Sequence, residues 1–116
     1  MSESAKRPWE TEYRVAETKI VAETPDLRVL EITLDAGEAV PWHLHRNVDD
    51  RFYCLAGAIA VLTRKPDEEF HLGPGDTCLV PTGRAHEVRN AAAEHPSRFL
   101  IVQGPGEYDF VPVPER

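Results

Sequence analysis

Apolar and polar residues alternate with period two along this chain, and turn residues cut it roughly every ten positions. In RVLEITLD (28–35), Leu30, Ile32 and Leu34 fall on one face while Glu31, Thr33 and Asp35 fall on the other. That is the pattern of a half-buried strand. Further apolar runs follow at FYCLAGAIAVLT (52–63), DTCLVP (76–81), AHEVRN (85–90) and RFLIVQG (98–104). Between them lie TPD (24–26), DAGE (35–38), KPDEE (65–69), LGPGD (72–76), PTGR (81–84) and EHPS (94–97). Ten prolines and seven glycines are more than a helical bundle tolerates. An all-β sandwich or barrel is therefore expected, rather than alternating helices and strands.

A chain of 116 residues makes one domain. The boundaries read from the pattern are an N-terminal arm (1–14), a barrel (15–111) and a short proline-rich tail (112–116). A net charge of −7 repels phosphate backbones and anionic lipid, so nucleic acid and membrane surfaces are not expected partners. The opening MSESAKRPWETEYR has no apolar core of a signal peptide, which makes the cytoplasm the expected compartment. Cys54 and Cys78, each flanked by apolar residues, read as free buried thiols.

The chemistry concentrates in HLHRNVDD (43–50). Side chains at i and i+2 of a strand share a face, so His43 and His45 project into one space. Two such imidazoles suit a first-row divalent metal, although an ordinary strand with two surface histidines reads the same way. Asp50 opens the next strand and can add a carboxylate, whereas Asp49 reads as a solvated turn residue. A second stretch, GDTCLVPTGRAHEVRN (75–90), brings His86 after a tight Pro81-Thr82-Gly83 turn. By strand parity, Phe52 and Cys54 share the face of Asp50, and Val88 and Asn90 that of His86, so these four are candidate pocket wall. His71 and His95 read as surface histidines, and Trp42 and Leu44 point away from His43 and His45.

Together these stretches read G-x5-H-x-H-x4-D-x6-G (Gly37 to Gly57) and G-x5-P-x-G-x2-H-x3-N (Gly75 to Asn90). They resemble the paired fingerprints of the cupin superfamily at every position but one, since cupins usually carry glutamate where Asp50 stands. The resemblance covers about 27–103 and implies a double-stranded β-helix, a jelly-roll barrel with one metal ion near its open end. It implies His43, His45 and His86 as ligands. Asp50, one methylene shorter than glutamate, would either ligate directly or sit behind the ligands holding a water or a histidine. Three histidines and a carboxylate suit one divalent ion (Fe, Mn, Ni or Zn) with coordination positions left for a small-molecule substrate.

Two chemistries fit such a centre: oxidation by dioxygen, and redox-neutral isomerisation or hydration of a sugar-like acid. A cupin that senses or stores a small ligand without turnover is the alternative. GEYDF (106–110) resembles the tails of some small cupins, which makes Tyr108 and Asp109 further pocket candidates at the barrel mouth. Small cupins are commonly homodimers. Trp9 and Tyr13 in the arm, and Trp42 on an outward face, are the candidate contacts here.

Overall fold

The alternation of 28–35 becomes the centre of the molecule: Leu30, Ile32 and Leu34 are almost fully buried, whereas Glu31 and Thr33 are half-exposed. A computed structural model describes residues 14–115, so Trp9 and Tyr13 lie outside the described residues. Ten strands follow in order: β1 (Glu17–Thr24), β2 (Leu27–Leu34), β3 (Ala39–Leu44), β4 (Asp49–Ala56), β5 (Ile59–Thr63), β6 (Glu68–Leu72), β7 (Thr77–Val80), β8 (His86–Asn90), β9 (Ser97–Gly104) and β10 (Val111–Pro112). They form two five-stranded sheets, ordered β1-β2-β9-β4-β7 and β10-β3-β8-β5-β6. Neighbouring strands are antiparallel throughout.

The inward faces meet in a single core. Leu30, Ile32, Leu34, Phe52, Cys54, Phe99 and Ile101 come from the first sheet, and Val40, Ile59, Val61, Leu72 and Val88 from the second. Each such side chain contributes about 1.5–3 kcal/mol when fully buried. Crossovers between the sheets, rather than hairpins alone, bring distant parts of the chain side by side; β9 lies between β2 and β4. This is the double-stranded β-helix that the fingerprints imply.

The long run 52–63 is cut in two at Gly57, which leaves β4 with φ 77°. A Cβ there would collide with the side chain and backbone of Ser97, so glycine is required twice over. The turn after β5 is shorter than KPDEE suggests, because Glu68 and Glu69 already belong to β6. In that edge strand Glu68, Glu69 and His71 face water and only Phe70 and Leu72 turn toward the core. β1 is likewise an edge strand, mostly exposed, with Ile20 packed against the core. Cys54 is buried and Cys78 half-buried; both are free, and burial pushes both thiols up in pKa. Among the described residues no helix is long and apolar enough to cross a membrane.

Candidate metal centre

His43 lies near the end of β3, directly across from His86 on β8. His45 follows just past β3, and Asp50 opens β4 in the opposite sheet. Both sheets thus deliver polar groups to one point between them, and all four side chains are buried. One ligand atom from each lies within 4.8 Å of every other.

The ring orientations are set from behind. His43 Nδ1 donates to the Pro41 carbonyl at 2.7 Å, and His86 Nδ1 to the Arg84 carbonyl at 2.9 Å. His45 Nδ1 donates to the Asp109 carbonyl. A carbonyl can only accept, so each Nδ1 carries its proton and each neutral ring presents a bare lone pair at Nε2. Two of those lone pairs face the Asp50 carboxylate, with Oδ2 3.1 Å from His45 Nε2 and 2.9 Å from His86 Nε2. Lone pairs do not attract lone pairs. The arrangement is stable only with a positive charge between them, either a proton or a metal ion.

The electrostatics divide the roles. Burial, aided by the charges of His86 and His45, pushes the His43 imidazole down to about 3, which keeps it an unprotonated donor at neutral pH. Burial acts the same way on His45, yet its hydrogen bond and proximity to Asp50, with Asp109 behind, raise its pKa overall. Burial alone would raise the Asp50 carboxyl, but the contacts with His45 and His86 hold it well below the usual carboxylate range. The site thus favours a proton on His45 and disfavours one on His43. His43, His45 and His86 each turn a ring nitrogen toward this point and could hold a divalent ion that would take the place of that proton. This donor set, three imidazoles and a carboxylate, fits a first-row transition ion.

The surroundings are tight. Val40, Phe52, Val88 and Ile101 form apolar walls, and the chamber holds about 10 Å³, room for a single ion or water. The segment after β9 closes it. Phe110 stacks on the His43 ring (centroids 4.4 Å, planes 15° apart), and Tyr108 lies against His45 at 5.5 Å. The Asp109 carboxylate turns outward to accept the Arg46 amide with both oxygens at 3.0 Å.

Of the residues read from sequence as pocket wall, Phe52, Val88 and Tyr108 line this chamber. Cys54 sits in the core, its thiol toward the Ala56 and Gly57 carbonyls. Asn90 ties down the 90–97 turn, donating to the Leu34 and His95 carbonyls. Asp49 is not merely solvated, because its Oδ1 accepts from both the amide and the hydroxyl of Thr82 at 2.8 Å and so caps the Pro81 turn. His71 and His95 are exposed. Val40, Ile101, Phe110 and Gln103 line the chamber without having been read from the sequence as pocket residues, and Gln103 is the polar one. Gln103 pairs with Asp50 across β9 and β4 and donates from Nε2 to Asp50 Oδ1 at 3.2 Å. Its signal was present, since a lone amide shares the inward parity of Phe99 and Ile101.

A family model for the cupin domain matches residues 30–103, which include the two histidine-bearing segments and Gln103. The chain belongs to the cupin family. Solved cupin-like structures agree in fold. An uncharacterized conserved protein with a double-stranded β-helix domain from Klebsiella pneumoniae superposes with TM-score 0.73 at 23% identity, covering 97% of this chain and 94% of that one. KdgF from Halomonas sp. superposes with TM-score 0.68 at 29% identity, covering 85% and 92%. The oxalate decarboxylase of Bacillus subtilis, which has Mn(II) centres, superposes with TM-score 0.69 at 23% identity; 76% of this cupin corresponds to 24% of that chain. At 23% identity the first and third show the fold alone. No curated protein matches this cupin.

Proposed function

We propose that this cupin holds one divalent transition metal ion through His43, His45, His86 and Asp50 and is a small metalloenzyme. Its substrate would be a small polar or anionic molecule with oxygen donors. The observation that carries this reading is the fixed tautomer of all three rings, with Nδ1 protons engaged on backbone carbonyls and Nε2 lone pairs turned toward a buried carboxylate. When bound, the metal would supply Lewis-acid polarisation of a substrate oxygen or, for a redox-active ion, dioxygen chemistry.

The chain's own residues do the rest. Asp50 balances part of the ion's charge, Gln103 holds Asp50 in orientation, and the apolar walls exclude bulk water from the chamber. Phe110 and Tyr108 cover the site, so a substrate has to enter past them. The Mn(II) centres of the Bacillus oxalate decarboxylase support a metal in this fold.

The test is metal analysis of protein purified without added metal, then dialysed, alongside the triple variant His43→Ala/His45→Ala/His86→Ala. One equivalent of metal is expected in the wild type and almost none in the variant, with circular dichroism checking the fold of both. Stoichiometric metal in the variant would place the ion elsewhere. We also propose a homodimer, with a further candidate contact surface in addition to Trp42 and to the arm residues Trp9 and Tyr13, which lie outside the described residues. Trp42 is half-buried beneath the Arg64 guanidinium, 3.9 Å from its ring centroid. The exposed large apolar side chains Tyr53, Leu55 and Leu79 share the outer face of β4 and β7.

A further inference from the structure

Gln103 has a second polar atom that the metal-centre reading leaves unused. Its side chain is only 4% exposed. Because a carboxylate only accepts, the amide NH2 must be the end that faces Asp50, which turns Oε1 the other way. That oxygen is buried and accepts from no donor among the described residues. A buried acceptor without a donor is rare in a folded chain and points to a group arriving from outside.

The position of Gln103 says where that group comes from. Arg28, Gln103 and Asp50 form one row across β2, β9 and β4, register partners on the inward face. Gln103 and Tyr108 line both the metal chamber and a neighbouring groove of about 440 Å³ between the β1–β2 turn and segment 106–108. On the groove wall the Arg28 guanidinium lies 4.2 Å from the centroid of the Tyr108 ring and pairs with Glu23 at 2.6 Å. The groove is large enough for a small organic molecule, whereas the chamber admits one atom-sized occupant. A ligand reaching the chamber from the groove passes Gln103, which lines both.

We infer that Gln103 selects ligands carrying a free hydroxyl, accepting the O–H through Oε1 as the ligand enters from the groove. The ligand class is a small hydroxy acid whose carboxylate would go to the metal, because the Arg28 guanidinium is already paired with Glu23. This rests on the metal-centre reading and adds a residue that reads the ligand rather than the ion.

The experiment uses cobalt(II) as the probe metal, with uptake measured first. Glycolate and methoxyacetate, which differ in whether the oxygen beside the carboxylate bears a proton, are then titrated while the cobalt visible band is followed. Wild type is expected to favour glycolate by about tenfold or more over the preference shown by Gln103→Met, which keeps the volume but has no carbonyl. Gln103→Asn, which keeps an amide donor for Asp50 and a carbonyl acceptor, should retain more of the glycolate preference than Gln103→Met. Equal affinities in wild type, as when Oε1 serves only a bound water, would overturn the inference, as would an unchanged preference in Gln103→Met. If Gln103→Met does not fold, the wild-type ratio and that of Gln103→Asn decide: a wild-type ratio near one overturns the inference, and a preference retained in the asparagine variant upholds it. Failure of the wild type to take up cobalt sinks the metal-centre reading and this inference together. Uptake without discrimination sinks this one alone.

Discussion

Asp50 offers negative charge to two imidazole nitrogens whose neutral rings have no proton to give it. Replacing it with asparagine changes the sign of that conflict, because an amide NH2 can donate to a ring lone pair. Asp50→Asn is therefore expected to lose most metal affinity, by 10-fold or more on the scale of about 1.4 kcal/mol per decade. At alkaline pH the metal-free variant should melt higher than metal-free wild type. Calorimetry with and without added metal reads both effects. If metal binding were undiminished, the carboxylate would not be a ligand.

The same residues predict how metal-free stability depends on pH. The His43 pKa falls from 6.5 to about 3 on folding, so between those values the unfolded chain binds a proton that the folded one does not. Stability from this group is full above pH 6.5 and is lost as pH falls toward 3. His45 moves the other way from the same 6.5, so its contribution is full below that value and is lost as pH rises through its raised folded pKa. The two slopes meet at the ordinary histidine value. The melting temperature of metal-free protein should peak near pH 6.5 and fall on both sides. A flat profile from pH 5 to 8 would contradict the assignment. Loading with metal should flatten the alkaline side, because the ion then does what the His45 proton did.

At the scale of elements, the segment after β9 governs access. It is held by the Gly106 amide on the Asp26 carbonyl, by Asp109 on the Arg46 amide, by Phe110 on His43 and by the short β10–β3 pairing. Phe110→Ala removes a stacked ring worth about 0.5–1.5 kcal/mol beyond its buried area. We expect it to speed metal loss to a chelator by about tenfold, the rate equivalent of about 1.4 kcal/mol. Phe99→Ala, in the core proper, should instead cost about 3–5 kcal/mol of folding stability. Stopped-flow chelation and thermal melts separate these outcomes. Equal chelation rates in wild type and Phe110→Ala would mean the segment does not limit access.

Elements differ in how plainly the sequence announces them. β2 and β4 show their alternation because each has one fully buried face, and the histidine pair and His86 stand out through their spacing. β1 and β6 are edge strands with little to bury, so β1 shows no alternation to mark it and the start of β6 reads as part of the KPDEE turn. Gln103 was overlooked for a different reason. An amide gains its role here from Asp50 on a neighbouring strand, and that adjacency arises only when β9 inserts between β2 and β4. Asn90 shows the converse, since its inward parity was sound while its hydrogen bonds serve a turn.

At the scale of the whole molecule, the first sheet carries an exposed apolar outer surface. Tyr53 lies opposite Leu100 in register, Leu55 and Leu79 stand nearby on β4 and β7, and β7 is an open edge. Unpaired edges and apolar patches of this kind are normally covered. Light scattering at micromolar concentration should give twice the chain mass of 13.0 kDa. Leu79→Glu should return it to the single-chain value without loss of bound metal. A wild-type mass near 13.0 kDa would refute the dimer.

The way the centre is covered also bears on how such a protein can diversify. Every candidate ligand and the buried core beneath it come from residues 30–103, while the aromatic cover comes from 108–110. The barrel supplies the histidines and the carboxylate, and the cover adds side chains over them while its Asp109 carbonyl holds the His45 ring, a backbone contact that other side-chain sequences could also provide. Grafting the corresponding tail of another cupin onto this barrel should change which molecules are admitted while leaving the ion in place. New specificities then arise by re-tailing an old socket, a far shorter mutational path than rebuilding the wall of a β-barrel.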